Sequence, residues 1–163
     1  MDKRIVLSIL IPAALIVFLT DIIRFRAPRV QELFMKIFGI LVREHEEKYF
    51  TGSTFLLLSA VIVISFFPKD FAIVSLMILT ISDAAAALIG RKFGRIKIVD
   101  KTLEGSLAFL STALVIGLIY PGISNGQAIT AAVSATVIEL IPQPLDDNFV
   151  IPVATCLILY VIY

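Results

Sequence analysis

Six apolar segments leave this chain few ways to fold. They run roughly from Ile5 to Ile23, Thr54 to Phe67, Phe71 to Ile89, Leu107 to Tyr120, Ala128 to Ile141 and Phe149 to Tyr163. With 59% hydrophobic residues and a mean hydropathy of +1.00 over 163 residues, the chain has more apolar surface than one soluble core of this size can bury. A bilayer core offers no partner to a backbone N–H or C=O, and no alternating strand pattern is present, so the spanning segments must be helices. The expected fold is all-α: a polytopic integral membrane bundle of about six transmembrane helices with one interfacial helix, forming a single membrane-embedded domain over residues 1–163. Several segments fall short of the about 20 residues a span takes, so they borrow flanking residues or thin the bilayer. Leu33 to Val42 is short and flanked by charge, and is expected to lie along the interface. Met1 to Leu19 has the basic start of a signal peptide, but no small-residue cleavage site follows, so a retained helix is expected. The single cysteine, Cys156, lies in an apolar run and excludes an internal disulfide.

Six spans place the loops 24–53, 90–106 and 142–148 on one side of the membrane. That side holds Arg24, Arg26, Arg29, Lys36, Arg43, Lys48, Arg91, Lys92, Arg95, Lys97 and Lys101, against Lys3, Arg4 and Lys69 opposite. The positive-inside rule makes the richer side cytoplasmic, with both termini outward. Asp83, Glu104, Glu139, Asp146 and Asp147 fall at the same helix ends, so polar groups far apart in sequence converge there. The net charge of +1 says little about partners, and no nucleic acid is expected among them.

The stretch from Ile81 to Ser106 carries most of the chemistry. A carboxylate near a membrane helix core costs about 2.5 to 3.5 kcal/mol at the centre and less near an end, so Asp83 needs a reason to be there. On a helix, Asp83, Ala87 and Gly90 share one face, and the alanines between them permit close approach by a neighbour. Gly90 and Gly94 are expected to free the backbone to turn into the basic loop. Thr102 can cap the next helix, whose positive end favours phosphate, and Lys101 adds a point charge. Such a cluster suits polyphosphate at a membrane surface. The bland alternative is an Asp83 cap or Asp83–Arg91 pair, a glycine packing motif and a loop that only obeys positive-inside.

A second cluster, IELIPQPLDDN, places Glu139 in a helix and Asp146, Asp147 and Asn148 just after Pro142 and Pro144, which stop the helix and stiffen the turn. These carboxylates are hard oxygen ligands suited to Mg²⁺. Alternatively Asp147 or Asn148 caps the last helix. In REHEEKYFTGSTF, His45 is a candidate general base or a solvated residue, with Glu46 beside it. Thr51 and Gly52 either bind an anion or cap the helix they open. Arg24, Arg26 and Arg29 are expected to anchor the first helix at anionic head groups.

In order, RxHExxxxTGST, SDAAAALIGRKFG, KTLEGSLAF and IELIPQPLDDN resemble the CTP-dependent lipid-alcohol kinase family of dolichol kinase, phytol kinase and CTP-dependent diacylglycerol kinase, from about Asp21 to the C-terminus. The resemblance implies transfer of the γ-phosphate of CTP to a membrane lipid alcohol such as a polyprenol, phytol, geranylgeraniol or diacylglycerol, with Mg²⁺. By position, Asp83, Gly90 and Gly94 match the family's aspartate-glycine motif, Lys101, Thr102, Glu104 and Gly105 its phosphate-side motif, and Asp146, Asp147 and Asn148 its C-terminal one. Together with the reading of the residues themselves, the expected site has catalytic Asp83, Lys101 and Glu139, nucleotide-binding Gly90, Arg91, Gly94, Arg95, Lys97, Lys101, Thr102, Glu104, Gly105 and Ser106, metal-binding Asp83, Asp146 and Asp147, and further candidates His45, Glu46, Thr51, Gly52 and Asn148. Either Asp83 or Glu139 takes the hydroxyl proton. Many relatives carry an extra helix with Arg-Lys and a histidine, with no equivalent before Ile5 here. CDP-diacylglycerol synthases share the central block but end in a basic, His-Gly-Gly signature that Pro-Gln-Pro-Leu-Asp-Asp-Asn does not match. A non-catalytic membrane protein or small transporter is the remaining alternative, and would place its charges near the bilayer midplane. Small-residue helix faces suggest a homodimer.

Overall fold

Prolines and polar caps set where the helices begin and end. In the computed structural model, which describes residues 2–39 and 49–163, helix α1 (Lys3–Arg26) starts where the Asp2 carboxylate accepts the Arg4 N–H at 3.0 Å. It stops at Ala27, which Pro28 forces out of the helical region, to φ −126° and ψ 100°. Pro28 then takes the first position of α2 (Pro28–Phe38), where a missing N–H is harmless. Pro68 likewise separates α3 (Gly52–Phe66) from α4 (Lys69–Met77). α4 continues through a π-helical turn (Ile78–Ser82) into α5 (Asp83–Phe93). After a short ribbon come α6 (Leu103–Ile119), α7 (Asn125–Leu140), opened by a Ser124–Gln127 capping box, and α8 (Asp147–Ile162).

The chain is a helical membrane protein. α1, with 24 residues and a mean hydropathy of 2.5, and the continuous 25-residue rod Lys69–Phe93, at 2.2, are each long and apolar enough to cross a bilayer. α3, α6 and α8 are shorter apolar helices of 15, 17 and 16 residues. The interfacial segment expected at Leu33 to Val42 instead starts at Pro28, because proline is preorganised for a helix start. Its C-terminal part lies outside the described residues.

Hydrogen bonds sort the helix ends into two sets. At one, Lys3 Nζ donates to the Ser65 carbonyl at 2.6 Å and Tyr120 Oη to Asp70 at 2.7 Å. At the other, Thr54 of α3 donates to Asp21 of α1 at 2.7 Å, and Lys101 to Asp147 at 2.8 Å. The core between them packs Ile78 and Leu79 of the π-helical turn against Phe109, Ala132, Ala135, Ile151 and Leu159. α6 and α7 approach so closely that a Cβ on Gly117 would lie 2.9 Å from that of Ala128. The α7 alanines 128, 131, 132 and 135 are fully buried within the chain, whereas Ala84 in the alanine run of α5 is exposed.

The basic loop holds the only strands among the described residues. Lys97–Ile98 (β1) pairs antiparallel with Lys101–Thr102 (β2), Lys97 opposite Thr102 and Ile98 opposite Lys101. Val99 turns this ribbon at φ 55°, in the left-handed region that a β-branched side chain avoids. Val99→Gly should relieve that strain and stabilise the protein by about 1 kcal/mol. A rise in Tm of the purified protein in detergent checks this; a fall would show that Val99 is not strained.

Candidate active site

Three glycines bring α5 and α6 together at the ribbon. A Cβ on Gly90 would lie 2.8 Å from Thr102 Oγ1, one on Gly94 2.7 Å from Thr102 Cγ2, and one on Gly105 3.0 Å from the Ala86 carbonyl oxygen. Gly90 lies inside α5, Gly94 follows it at φ −62°, and no glycine among the described residues has a positive φ. Gly90 and Gly94 therefore serve close approach rather than the backbone turning expected from sequence. Thr102, wedged between the helices, caps α6 as expected, its Oγ1 accepting the Gly105 N–H at 3.2 Å. Gly105→Ala drives a methyl against backbone that cannot swing away, and should cost about 1 to 3 kcal/mol. Thermal unfolding of the variant checks this; a loss below about 0.5 kcal/mol, the usual surface scatter, would mean that α5 moves aside freely.

The ribbon delivers Lys101 to two carboxylates from other helices. Its Nζ lies 2.9 Å from Glu139 Oε1 and 2.8 Å from Asp147 Oδ2. Glu139, in the last turn of α7, is 3% exposed, and its other oxygen accepts the Ser106 hydroxyl at 3.2 Å. Burial pulls the Lys101 pKa down, but the bonds to Asp147 and Glu139 outweigh it and leave it above the ordinary 10.5. Lys101 is thus a permanent cation.

Asp100, Lys101, Glu139 and Asp147 form the wall between two cavities. The smaller, about 330 Å³, runs along α5 and is lined by Asp83, Ala87, Gly90, Arg91, Thr102, Gly105 and Ser106. The larger, about 680 Å³, lies beneath the ribbon turn and the α7–α8 loop and is lined by Tyr49, Phe50, Phe55, Gln143 and Asp146 among others. Asp83 is the first residue after the π-helical turn, a feature that re-registers the downstream helix face and is frequent at functional sites.

The remaining candidates divide. Asp146 is the N-cap of α8: its Oδ1 accepts from the Asn148 N–H at 2.9 Å and Asn148 Nδ2 at 2.7 Å. Capping therefore falls to Asp146, not to Asp147 or Asn148, because Asp147 is drawn to Lys101. Asp83 and Asp147 share the smaller cavity, and Asp146 lines only the larger. Among the described residues no three Asp, Glu, His or Cys side chains gather to hold a metal by themselves. Arg91 folds back to donate to the Ala87 carbonyl at 3.0 Å, while Arg95 and Lys97 are exposed. Glu104 accepts backbone N–H groups from its own residue, Arg95 and Ile96, which with the nearby Arg95 charge hold its carboxyl below the usual range. His45 and Glu46 lie outside the described residues.

A buried polar network ties α1 to the start of α3. Asp21 and Arg24 are each 1% exposed; Arg24 Nε donates to Asp21 Oδ1 at 2.7 Å. Asp21 Oδ2 accepts from the Thr51 N–H at 2.9 Å, the Thr51 hydroxyl at 3.1 Å and the Thr54 hydroxyl. The guanidinium also donates to the Tyr49 carbonyl and lies over the Phe25 and Phe34 rings. Arg24 is thus an internal strut, not the head-group anchor expected, and Thr51 braces Asp21 with no side-chain cap of its own on α3. The readable signal was an acid and an arginine three residues apart in an apolar helix, affordable in lipid only as a pair.

A helical membrane protein with a lysine-bridged acidic site at one end of its bundle is the class these features define. No protein-family profile matches the chain, and no solved structure does. Among curated proteins, it is 31% identical to "CTP-dependent diacylglycerol kinase 1" of Schizosaccharomyces pombe, over 89% of this chain and 75% of that protein. It is 30% identical to the protein of the same name from Saccharomyces cerevisiae, over 91% of this chain and 61% of that one. It is 31% identical to "Probable phytol kinase, chloroplastic" of Triticum aestivum, over 72% of this chain and 46% of that protein. The chain belongs to the CTP-dependent lipid kinase family. That membership takes the place of the synthase and transporter alternatives.

Proposed function

We propose that this protein transfers the γ-phosphate of CTP to the hydroxyl of a membrane lipid alcohol, releasing CDP and a lipid phosphate. The observation that carries the reading is Lys101, held at 2.8 and 2.9 Å between Asp147 and Glu139 where both cavities meet the glycine-rich α5–α6 crossing. Phosphoryl transfer needs mostly alignment and charge neutralisation. The glycines and alanines leave room for phosphate oxygens, Lys101 and Arg91 supply positive charge, and the amide end of α6 adds its dipole. The acceptor hydroxyl reaches the smaller cavity along α5 beside Asp83. Its oxygen bonds to the γ-phosphorus as the bond to the β–γ bridging oxygen breaks, and its proton passes to a carboxylate. Asp83 and Glu139 both line that cavity, and either can serve as that carboxylate.

Mg²⁺ fits this donor set: it takes one or two carboxylates together with phosphate oxygens and water, and Asp83 and Asp147 line the same cavity. Bound there it would neutralise charge on the transferred phosphoryl group.

We place the site at the cytoplasmic face of a single membrane-embedded domain of about six spans, since the basic residues collect at its end of the bundle. The fungal relatives are named for diacylglycerol and the plant relative for phytol, so the acceptor panel is diacylglycerol, phytol, geranylgeraniol and long polyprenols. Purified protein, Mg²⁺ and CTP labelled at the γ position are expected to label one of these lipids. Label entering the lipid from the cytidine instead, or no transfer to any acceptor, would overturn the reading.

A further inference from the structure

The larger cavity is left without a role by the phosphate chemistry, yet it shares its inner wall with the smaller one. We infer that it is the nucleoside pocket: the cytosine and ribose of the donor sit in the about 680 Å³ cavity, and the triphosphate passes Lys101 to present its terminal phosphate in the smaller one. The inference rests on CTP being the donor.

Three features of the larger cavity suit a cytosine. It has aromatic walls, Tyr49, Phe50 and Phe55, on which any base can stack. Phe50 is fixed there, its ring stacked on Phe18 at 5.3 Å and edge-on to Phe25 at 5.4 Å. The cavity also pairs a carboxylate with an amide, Asp146 and Gln143. Both hydrogen bonds that Asp146 accepts fall on Oδ1, so its other oxygen keeps its acceptor capacity. Cytosine presents an amino group that a carboxylate accepts, next to acceptors that an amide N–H can satisfy; uracil presents a carbonyl where cytosine has the amino group. Finally, the cavity lies among loops, under the ribbon turn and the α7–α8 connection. The smaller cavity, which holds Asp83 along α5, is left for the acceptor hydroxyl.

The test is equilibrium binding of labelled CTP, without lipid acceptor, to the wild type, Tyr49→Ala and Gln143→Ala. The Tyr49 side chain is 68% exposed and Arg24 holds only its backbone carbonyl, so its removal spares the fold. The Kd for CTP is expected to rise about tenfold in each variant, the size of losing one stacking or base-edge contact. Competition by inorganic tripolyphosphate should not change, and the preference for CTP over UTP should fall in Gln143→Ala. An unchanged CTP Kd in both variants, an equal loss for tripolyphosphate, or a rise in lipid KM alone would overturn the assignment. Transfer to lipid, assayed in parallel with the wild type, separates the two readings. Transfer with an unshifted CTP Kd sinks the nucleoside pocket alone. The expected Kd shifts without lipid labelling sink the kinase reaction alone. No CTP binding by the wild type sinks both.

Discussion

Lys101→Met should abolish phosphate transfer, lowering kcat/KM by about a thousandfold or more, and at the same time loosen the fold by about 3 kcal/mol. The first effect follows from removing the cation at the junction of the two cavities, where charge on the triphosphate must be neutralised. The second follows from Glu139. It is 3% exposed, and without Lys101 it keeps only the Ser106 hydroxyl as a partner, so its charge is buried uncompensated or it takes up a proton. Asp147, more exposed, loses less by the change. These two consequences can be separated. Lys101→Met combined with Glu139→Gln should recover most of the stability, because a neutral amide can stay buried against Ser106, and none of the turnover. Recovery of both would make Lys101 a structural counter-ion only; recovery of neither would mean that the ribbon itself collapses without the ammonium.

The protonation of Lys101 gives a pH signature to the same experiment. Its pKa in the folded protein is raised above 10.5, since the bonds to Asp147 and Glu139 outweigh burial. A group raised on folding stabilises fully below its unfolded pKa and loses that contribution as pH rises through the folded value. The Lys101 contribution to wild-type stability should therefore hold through neutral pH and be lost only as pH rises above about 10.5, which the wild type's unfolding profile against pH checks.

Much of this site was legible in the sequence because the relevant physics is local. A threonine before an apolar run caps a helix, and Thr102 does so. Basic residues collect at one end of apolar segments because lipid tails exclude them, and the lysine, the carboxylates and the α5 face meet there. What the sequence did not disclose depends on pairing between distant elements. Lys101 meets Glu139 and Asp147 only because α6 and α7 pack at glycine–alanine distance and α8 returns beside them, and no spacing rule spans such intervals. Glycines at 90 and 94 suit turning as well as close approach, and only the position of Thr102 decides between them. An arginine at a helix end usually faces head groups, and the threonines that draw Arg24 inward through Asp21 lie far downstream, at positions 51 and 54. The π-helical turn before Asp83 has no residue signature at all.

Asp83→Asn is expected to reduce lipid phosphorylation by about a thousandfold or more while changing stability by less than about 1 kcal/mol. The amide keeps the size of the side chain and its capacity to hydrogen-bond, but it can neither accept the hydroxyl proton nor hold a metal cation as a carboxylate does. Two roles are open to the lost charge, and they leave different traces. If Asp83 serves mainly as the proton acceptor, CTP binding in the presence of Mg²⁺ is preserved and the limb of the rate profile that rises with pH disappears. If it serves mainly as a metal ligand, the concentration of Mg²⁺ needed for half-maximal binding of CTP rises, and raising Mg²⁺ restores part of the turnover. Turnover within tenfold of the wild type would remove Asp83 from the chemistry and leave Glu139 as the carboxylate to test.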